Sequence, residues 1–233
     1  NKALKDRAFI GGGSLNTVTG AGGTIVGGYG NSIAGAYGSI GGGWSNTAIG
    51  GYTTISGGQA NKAEGAYATV GGGGANSAMG TYASIGGGYG HSVSASATYA
   101  SIGGGYQNTV TGSHATVLGG QHNLASGTYS AVVGGYFNTA GGNSSVAMGQ
   151  FTKATHDFAG VFGFQANPQS DCTSQSDGSL TVCVDNGFYV NGQDILDTLG
   201  ATNVSVNYCS GNVSAIQAQA DAIRTRMLAN EDH

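Results

Sequence analysis

Histidine is the residue through which this chain could most readily do acid–base or metal chemistry. A catalytic Ser-His-Asp arrangement would need an aspartate near a histidine, and Asp157 comes only after the repetitive part of the chain. His114 and His122 could share a metal ion only with further ligands, and no carboxylate lies close to them in the sequence. We therefore predict that the chain is not an enzyme and holds no metal or cofactor. The histidines are His91, His114, His122, His156 and His233.

Glycine strings are a second feature that could serve a ligand, because glycine-rich loops cradle phosphates in nucleotide-binding proteins. Gly71–Gly74 has no lysine or helical pattern after it, and similar strings recur along the chain. Paired glycines suit tight corners with positive φ, so we interpret them as turns and expect Gly72→Val to disrupt folding locally. The pairs are Gly42-Gly43, Gly72-Gly73, Gly104-Gly105 and Gly119-Gly120.

The three cysteines are Cys172, Cys183 and Cys209. Cys172 and Cys183 are 11 residues apart, a span that a hairpin disulfide closes easily, which leaves Cys209 for a link between chains or as a free thiol. The alternative is three reduced cysteines in a cytosolic protein. No Cys-X-X-Cys pair is present, so zinc binding is a weaker interpretation. A disulfide favours an extracellular or cell-surface location.

Composition narrows the class of protein. The 233 residues include 47 glycines but one proline, so the Gly-X-Y rhythm of collagen is excluded. Charged residues make up 8% and apolar residues 39%, which is not the highly charged signature of disorder. Between Ala8 and Thr152 the only Asp, Glu, Lys or Arg residues are Lys62 and Glu64, so no basic stripe is available to a nucleic acid. No apolar run is long enough to span a membrane.

Internal repetition organises most of the chain. Asparagine recurs every 15 residues, with His91 in one slot and a slip of two residues in Ser94–Thr98. A β-branched column and a column of small or β-branched residues keep the same step. The asparagine column is Asn16, Asn31, Asn46, Asn61, Asn76, His91, Asn108, Asn123 and Asn138. The β-branched column is Ile25, Ile40, Ile55, Val70, Ile85, Ile102, Val117 and Val132, and the other is Val18, Ile33, Ala48, Ala63, Ala78, Val93, Val110, Ala125 and Ala140.

Each repeat has the pattern of two short strands separated by glycine corners. Residues around the inward column alternate in polarity, as in Tyr82–Ile85, whereas a helix would need a period of about 3.6. We predict an all-β solenoid with the β-branched column inside and with asparagine amides hydrogen-bonded along the axis. One aliphatic and one small residue per coil enclose little core, so the rod is expected to oligomerise.

Tyrosine forms the column of greatest functional interest, because it alternates away from the inward column and should face outward. Exposed rings with polar hydroxyls could bind glycans, proteins or a neighbouring fibre. The alternative is that the rings stack on one another or fill a groove between chains and bind nothing. The column is Tyr37, Tyr52, Tyr67, Tyr82, Tyr99 and Tyr129.

The two ends differ from the repeats. The polar residues 1–7 suit a cap or joint, which leaves residues 8–164 as a solenoid of about ten coils. Residues 165–210 hold the cysteines and have the composition of a connector. Residues 211–233 carry the spacing of a coiled-coil seam and predict a short helix that starts a stalk. The seam is Val213, Ile216, Ala220, Ile223 and Met227.

The run from Gly11 to Gly149, with units such as Asn-Ser-Ala-Met-Gly-Thr-Tyr-Ala-Ser-Ile-Gly-Gly-Gly at Asn76–Gly88, resembles the head repeats of the YadA-like trimeric autotransporter adhesins. That resemblance implies a homotrimeric, left-handed parallel β-roll followed by a neck and a coiled-coil stalk. The familiar unit of the family is slightly shorter than the 15-residue unit of this chain, and cysteines are unusual there. Asn186–Leu196 also resembles the junctions before coiled coils in phage and viral tail fibres.

These features together favour an extracellular fibre head that mediates attachment or surface display, either alone or as a filament subunit. The expected partners are its own copies, as a homotrimer, and an unknown host-surface protein or glycan. A phage or virus tail fibre is the alternative, which would place the chain on a virion. An ice-binding solenoid is a lesser one, because Thr53, Thr54, Thr69 and Thr116 are too irregular for a flat threonine face.

Overall fold

The computed structural model describes residues 1–164, 172–184, 189–190, 193–194 and 203–207. These residues form an all-β parallel solenoid of about 11 turns, and no helix occurs among them. The all-β solenoid predicted from the repeats is therefore confirmed. The predicted coiled coil with its seam at Val213–Met227, Cys209 and most of the connector lie outside the described residues.

The strands are short and follow one another at nearly constant spacing. In chain order they are β1 (Lys2–Ala3), β2 (Phe9–Ile10), β3 (Thr17–Val18), β4 (Thr24–Ile25), β5 (Ser32–Ile33), β6 (Ser39–Ile40), β7 (Thr47–Ala48), β8 (Thr54–Ile55), β9 (Lys62–Ala63), β10 (Thr69–Val70), β11 (Ser77–Ala78), β12 (Ser84–Ile85), β13 (Ser92–Val93), β14 (Ser101–Ile102), β15 (Thr109–Val110), β16 (Thr116–Val117), β17 (Leu124–Ala125), β18 (Ala131–Tyr136), β19 (Thr139–Ala140), β20 (Val146–Gln150), β21 (Thr152–Ala154), β22 (Gly160–Phe164), β23 (Cys172–Thr173), β24 (Ser179–Val184), β25 (Tyr189–Val190), β26 (Gln193–Asp194) and β27 (Asn203–Asn207).

Two long sheets run along the rod. The odd-numbered strands from β1 to β23 form the first sheet, and the even-numbered strands from β2 to β24, followed by β27, form the second. Neighbouring coils pair in parallel, as Thr17 does with Ser32 and Val18 with Ile33. A further ladder of single parallel bridges, from Ser14 to Tyr136, gives each coil a third side. The short pair β25 and β26 is antiparallel and forms a separate sheet.

A typical strand has one hydroxyl residue outside and one apolar residue inside. In β10, Thr69 is exposed and Val70 is buried. This alternation is the period-two pattern of a strand, and β-branched side chains pack well on such a pleated surface. Corners follow after two residues, so each strand contributes a single inward side chain to the core.

The core lies between the two long sheets. The β-branched residues of the second sheet pack in one cluster with the smaller residues of the first, and both columns are buried along their full predicted length. Burial of one such aliphatic side chain stabilises a fold by about 1.5–3 kcal/mol. Because Ala48, Ala63 and Ala78 face this cluster, the two sheets can lie close together and the rod stays narrow.

The two-residue slip in the repeat leaves both sheets intact. Ser84 pairs with Ser101 and Ser92 with Thr109, so the register skips the extra residues. The extra length lies in consecutive turns between β13 and β14. An insertion at a corner is tolerated because it does not shift any side chain from the inner to the outer face.

The first residues of the chain are part of the solenoid. Lys2 and Ala3 pair in register with Thr17 and Val18. The Asn1 side chain accepts a hydrogen bond from the Asn16 backbone N–H at 3.0 Å, which places it in the asparagine column. Residues 1–7, which the sequence suggests as a cap or joint, thus form one side of the first coil.

A disulfide joins Cys172 and Cys183, as predicted. The two cysteines do not form a hairpin, because Cys172 lies on β23 of the first sheet and Cys183 on β24 of the second. The bond therefore crosses the core of the last coil, where both side chains are buried. Beyond it, β27 pairs antiparallel with β24 and covers that edge of the second sheet.

Candidate binding surface

The asparagine column is a buried hydrogen-bond ladder. Asn61 is fully buried, and its Nδ2 donates to the carbonyl oxygens of Gly57 and Gly73, each at 3.0 Å. Its Oδ1 accepts from the backbone N–H of Asn76 in the next coil at 3.1 Å. Each amide thus satisfies backbone groups in two coils. The sequence suggested bonds between the amides themselves, and these occur in addition only where Asn46 donates to Asn31.

His91 is the one predicted member of this column that is not asparagine. Its Nδ1 accepts from the Asn108 backbone N–H at 3.1 Å, but its buried Nε2 has no hydrogen-bond partner. Burial lowers the pKa of His91 and outweighs the opposing influence of the Asn108 and Gly105 backbones. A neutral ring is therefore favoured, and the histidine serves the ladder rather than acid–base chemistry.

The tyrosine column lies at a corner beside the second sheet. All six predicted tyrosines face outward, with 44–62% of each residue exposed. All six also have positive φ, between 56° and 59°. Gly22 occupies the equivalent corner of an earlier coil with φ 67°, and glycine adopts this backbone conformation without the penalty that a side chain brings. An aromatic residue at such a corner costs about 1–2 kcal/mol.

The rings of this column stack along the rod. Successive centroids from Tyr37 to Tyr99 are 4.7–5.1 Å apart, and the planes are within 15° of parallel. His114 continues the stack between Tyr99 and Tyr129, at 5.1 Å and 4.8 Å. Because neighbours cover the ring faces, the surface of this column consists of ring edges and hydroxyl groups.

Stacking compensates these tyrosines for the cost of their backbone conformation but adds little beyond that. A stacked aromatic pair is worth about 0.5–1.5 kcal/mol, which roughly offsets the cost of the positive φ. Six tyrosines at a corner where Gly22 also fits therefore bring little net stability. Side chains held in a costly backbone conformation without a gain in stability are a reason to look for function.

A second aromatic column, which the sequence reasoning missed, runs along the ladder of single bridges. Exposed members are Tyr29, Trp44, Tyr89 and Tyr106, and Tyr136 continues the column. Tyr89 and Tyr106 stack at 5.8 Å. The signal was present in the sequence, since each of these residues follows a pair of glycines, but Gln59, Gly74 and Gln121 interrupt it.

A hydroxyl column also lies on the second sheet, next to the tyrosines. The outward strand position is serine or threonine in seven successive coils. Thr53 and Thr54 are adjacent in the sequence, but Thr53 is buried and only Thr54 faces outward. The column is Thr24, Ser39, Thr54, Thr69, Ser84, Ser101 and Thr116.

The residues considered for catalysis or metal binding do not come together. His114 stacks in the tyrosine column, whereas His122 stacks on Phe137 at 4.7 Å in the neighbourhood of the second aromatic column. The Asp157 carboxylate accepts from the backbone and side chain of Asn143, and these bonds lower its pKa. Within the described residues, no group of three or more His, Cys, Asp or Glu side chains could hold a metal ion.

In the same part of the chain no helix is long and apolar enough to cross a membrane.

Comparison with known proteins gives no further guidance, since no protein-family model and no curated protein matches the sequence. The likeness to adhesin heads therefore depends on the repeat pattern alone. The chemistry of the exposed columns is the remaining guide to function.

Proposed function

We propose that the chain is the head of an extracellular, homotrimeric fibre that attaches its bearer to a protein or glycan surface. In this proposal the coils form a left-handed β-roll with 15-residue repeats, and the C-terminal heptads begin a coiled-coil stalk. The supporting observation is the tyrosine column, a row of exposed aromatic side chains that occupies strained corners without a net gain in stability.

Repetition makes such a column suitable for attachment. Tyrosine combines apolar area with a hydrogen-bonding tip and loses little conformational entropy on binding. Its side chain recurs once per coil, so many weak contacts can act together and avidity can replace a deep pocket. Lys62 and Glu64 are the only Asp, Glu, Lys or Arg residues between Ala8 and Thr152, so these contacts need little electrostatic matching.

Trimer formation is supported by the narrow core. Large apolar side chains such as Leu4, Val26, Ile49 and Leu118 are 47–61% exposed on the single chain. Packing of copies would remove part of this area from water. The heptad spacing of Val213–Met227 offers a second element of association.

The proposal predicts that the triple variant Tyr52→Gly, Tyr67→Gly, Tyr82→Gly loses attachment while it stays folded. Glycine relieves the positive φ at each corner, and this gain offsets the lost stacking to within about 2 kcal/mol. The measurement is the retention under flow of beads that carry the chain, on mucin films and on confluent cell layers. Retention should fall by at least about tenfold, because three adjacent contacts of an avid row are removed.

A matched control removes three aromatic side chains from the second aromatic column: Tyr29→Ser, Trp44→Ser and Tyr106→Ser. Serine is compatible with that position, since Ser14 occupies it in the first coil. Retention of this control should stay within about twofold of the unaltered chain. Equal retention of the tyrosine variant, or no retention of the unaltered chain on either surface, would refute attachment through the tyrosine column.

Ice binding is a second candidate because the hydroxyl column is more regular than the sequence suggested. The residue that follows the inward residue of each strand, however, is glycine in most of these coils, as at Gly41, Gly71 and Gly86. A single row of mixed serine and threonine is less suited to an ordered ice lattice than a flat face of paired threonines. Attachment is therefore the better supported function.

A further inference from the structure

The second aromatic column is interrupted at Gly74. Its neighbours along the rod are Gln59 on one side and Tyr89 on the other. A cavity of about 220 Å³ opens there, lined by Gln59, Ala60, Gly74, Ala75 and Tyr89. This volume is below the range of about 300–1,000 Å³ that is typical of drug-sized ligands, so the notch can take a single ring.

The notch exposes the face of an aromatic ring. Tyr106 covers one face of Tyr89, since the two rings are 5.8 Å apart with an interplanar angle of 11°. The opposite face is turned toward the coil of Gly74, which has no side chain to cover it. A Cβ atom at Gly74 would lie 3.0 Å from Cδ2 of Tyr89, so the ring leans over this glycine. Inner rings of the tyrosine column, by contrast, have neighbours on both faces.

The other walls of the notch are small or neutral. Ala60 and Ala75 occupy positions at which later coils carry Gln107 and His122. The side-chain amide of Gln59 makes no hydrogen bond to any residue that the structure describes, so both its donor and its acceptor are available. No charged side chain lines the cavity. The site thus combines one apolar ring face, one free amide and no net charge.

We propose that this notch binds one neutral sugar ring of a glycan. A hexose has an apolar face of C–H groups that can lie on Tyr89 and a rim of hydroxyl groups that can exchange hydrogen bonds with Gln59. An aromatic side chain from a partner would fit the ring face but would leave the amide unpaired. An anionic or cationic ligand would find no opposite charge. The site needs neither the tyrosine column nor a trimer, so it goes beyond the proposed attachment mechanism.

The test uses the full chain with two neutral probes, the hexasaccharides of β-linked glucose and of β-linked N-acetylglucosamine. Binding is followed by saturation-transfer NMR and by calorimetric titration. Gly74→Tyr fills the notch once the Tyr89 ring shifts by about a few tenths of an ångström away from the new Cβ atom, and Tyr89→Ala removes the ring face. We expect binding of at least one probe, weakened about tenfold or more by either substitution. The control Gln121→Tyr adds a tyrosine to the same column away from the notch and should bind as the unaltered chain does.

Two results of the binding experiments would overturn the proposal. One is that neither hexasaccharide binds the unaltered chain. The other is that Gly74→Tyr binds as well as Gln121→Tyr, which would place the ligand elsewhere. Light scattering of the same samples tests whether a side chain of a second copy occupies the notch instead. If the chain associates at higher concentration and only Gly74→Tyr abolishes this association, the notch binds a second copy and not a sugar. The tyrosine triple variant should keep this binding, so failure of the notch and failure of the attachment proposal are distinguishable.

Discussion

Gly58→Ala is expected to lower the free energy of unfolding by about 3–5 kcal/mol, the sum of steric overlap and backbone strain. Gly58 has φ 92°, and a Cβ atom there would lie 2.1 Å from the carbonyl oxygen of Gly73 in the next coil. The same atom would lie 2.8 Å from Nδ2 of Asn61. The methyl group therefore cannot be accommodated without separating two coils and disturbing the asparagine column.

Its neighbour Gly57 supplies the matched control. A Cβ atom at Gly57 would meet nothing closer than the Gly42 carbonyl oxygen at 4.0 Å, and this glycine does not have a left-handed φ. Gly57→Ala should change the free energy of unfolding by less than about 1 kcal/mol. Urea unfolding followed by circular dichroism measures both variants. Similar midpoints for the two variants would contradict the stacking of coils at Gly58.

Asn61→Ala is expected to cost about 3–5 kcal/mol, because it leaves two carbonyl groups and one N–H group in the interior without the amide that binds them. Lys62→Ala is the control, since Lys62 is adjacent in sequence but exposed on the outer face. The control should stay within about 0.5 kcal/mol of the unaltered chain. The same urea midpoints measure both. Equal midpoints would show that the column contributes little to stability.

His91→Asn is the converse variant and should stabilise the fold by about 1 kcal/mol, because an asparagine Nδ2 in this column donates to two glycine carbonyl oxygens, as at Asn61, whereas Nε2 of His91 has no acceptor. It should also remove the part of the pH dependence of stability that is due to His91. Since the pKa of His91 is lowered in the fold, both states are neutral above the ordinary imidazole value of 6.5 and stability is then independent of this group. As the pH falls below 6.5, the unfolded chain binds a proton that the folded chain does not. Stability then declines until the lower folded pKa is reached.

Unfolding midpoints between about pH 7.5 and 5.5 test this sign, in a range where most carboxylates keep their charge. The unaltered chain should lose stability across that interval, and His91→Asn should lose less. A steeper decline in His91→Asn would contradict the burial of a neutral ring.

The sequence was sufficient to predict the solenoid and the two central columns of its core. Ile40 and Ala48 could be placed inside because residue type and a 15-residue step agreed over many coils. The direction of the asparagine bonds could not be predicted. It depends on the corner before each asparagine, where residues such as Ala60 adopt positive φ that their type does not suggest.

The glycine pairs at the corners are a second case in which the sequence alone could not predict the steric requirement. Gly72 and Gly73 are equivalent in the sequence, and Gly72→Val was expected to disrupt folding. A Cβ atom at Gly72 would meet nothing within 4 Å, although its φ of 152° disfavours a side chain, whereas at Gly73 it would lie 2.0 Å from the Gly88 carbonyl oxygen. Gly72 and Gly73 differ because the backbone of the next coil lies against Gly73 and not against Gly72. The steric requirement belongs to the second glycine of the pair.

The candidate surface was predicted in part. Tyr52 and Tyr67 could be assigned to the outside by alternation, but their φ near 59° and their mutual stacking follow from the corner geometry. The second aromatic column was missed because Gln59 and Gly74 break its periodicity. That break is also what creates the notch, so the least regular coil carries the most specific candidate site.

Molar mass from light scattering, measured on the purified chain with and without reductant, tests the homotrimeric fibre head most directly. The proposal predicts the mass of three chains in both conditions, with denatured oligomers that disappear on reduction if Cys209 links the chains. A single-chain mass at concentrations well above those used for attachment would contradict the trimer. The solenoid would then be self-contained, and its exposed columns would have to act on a single rod.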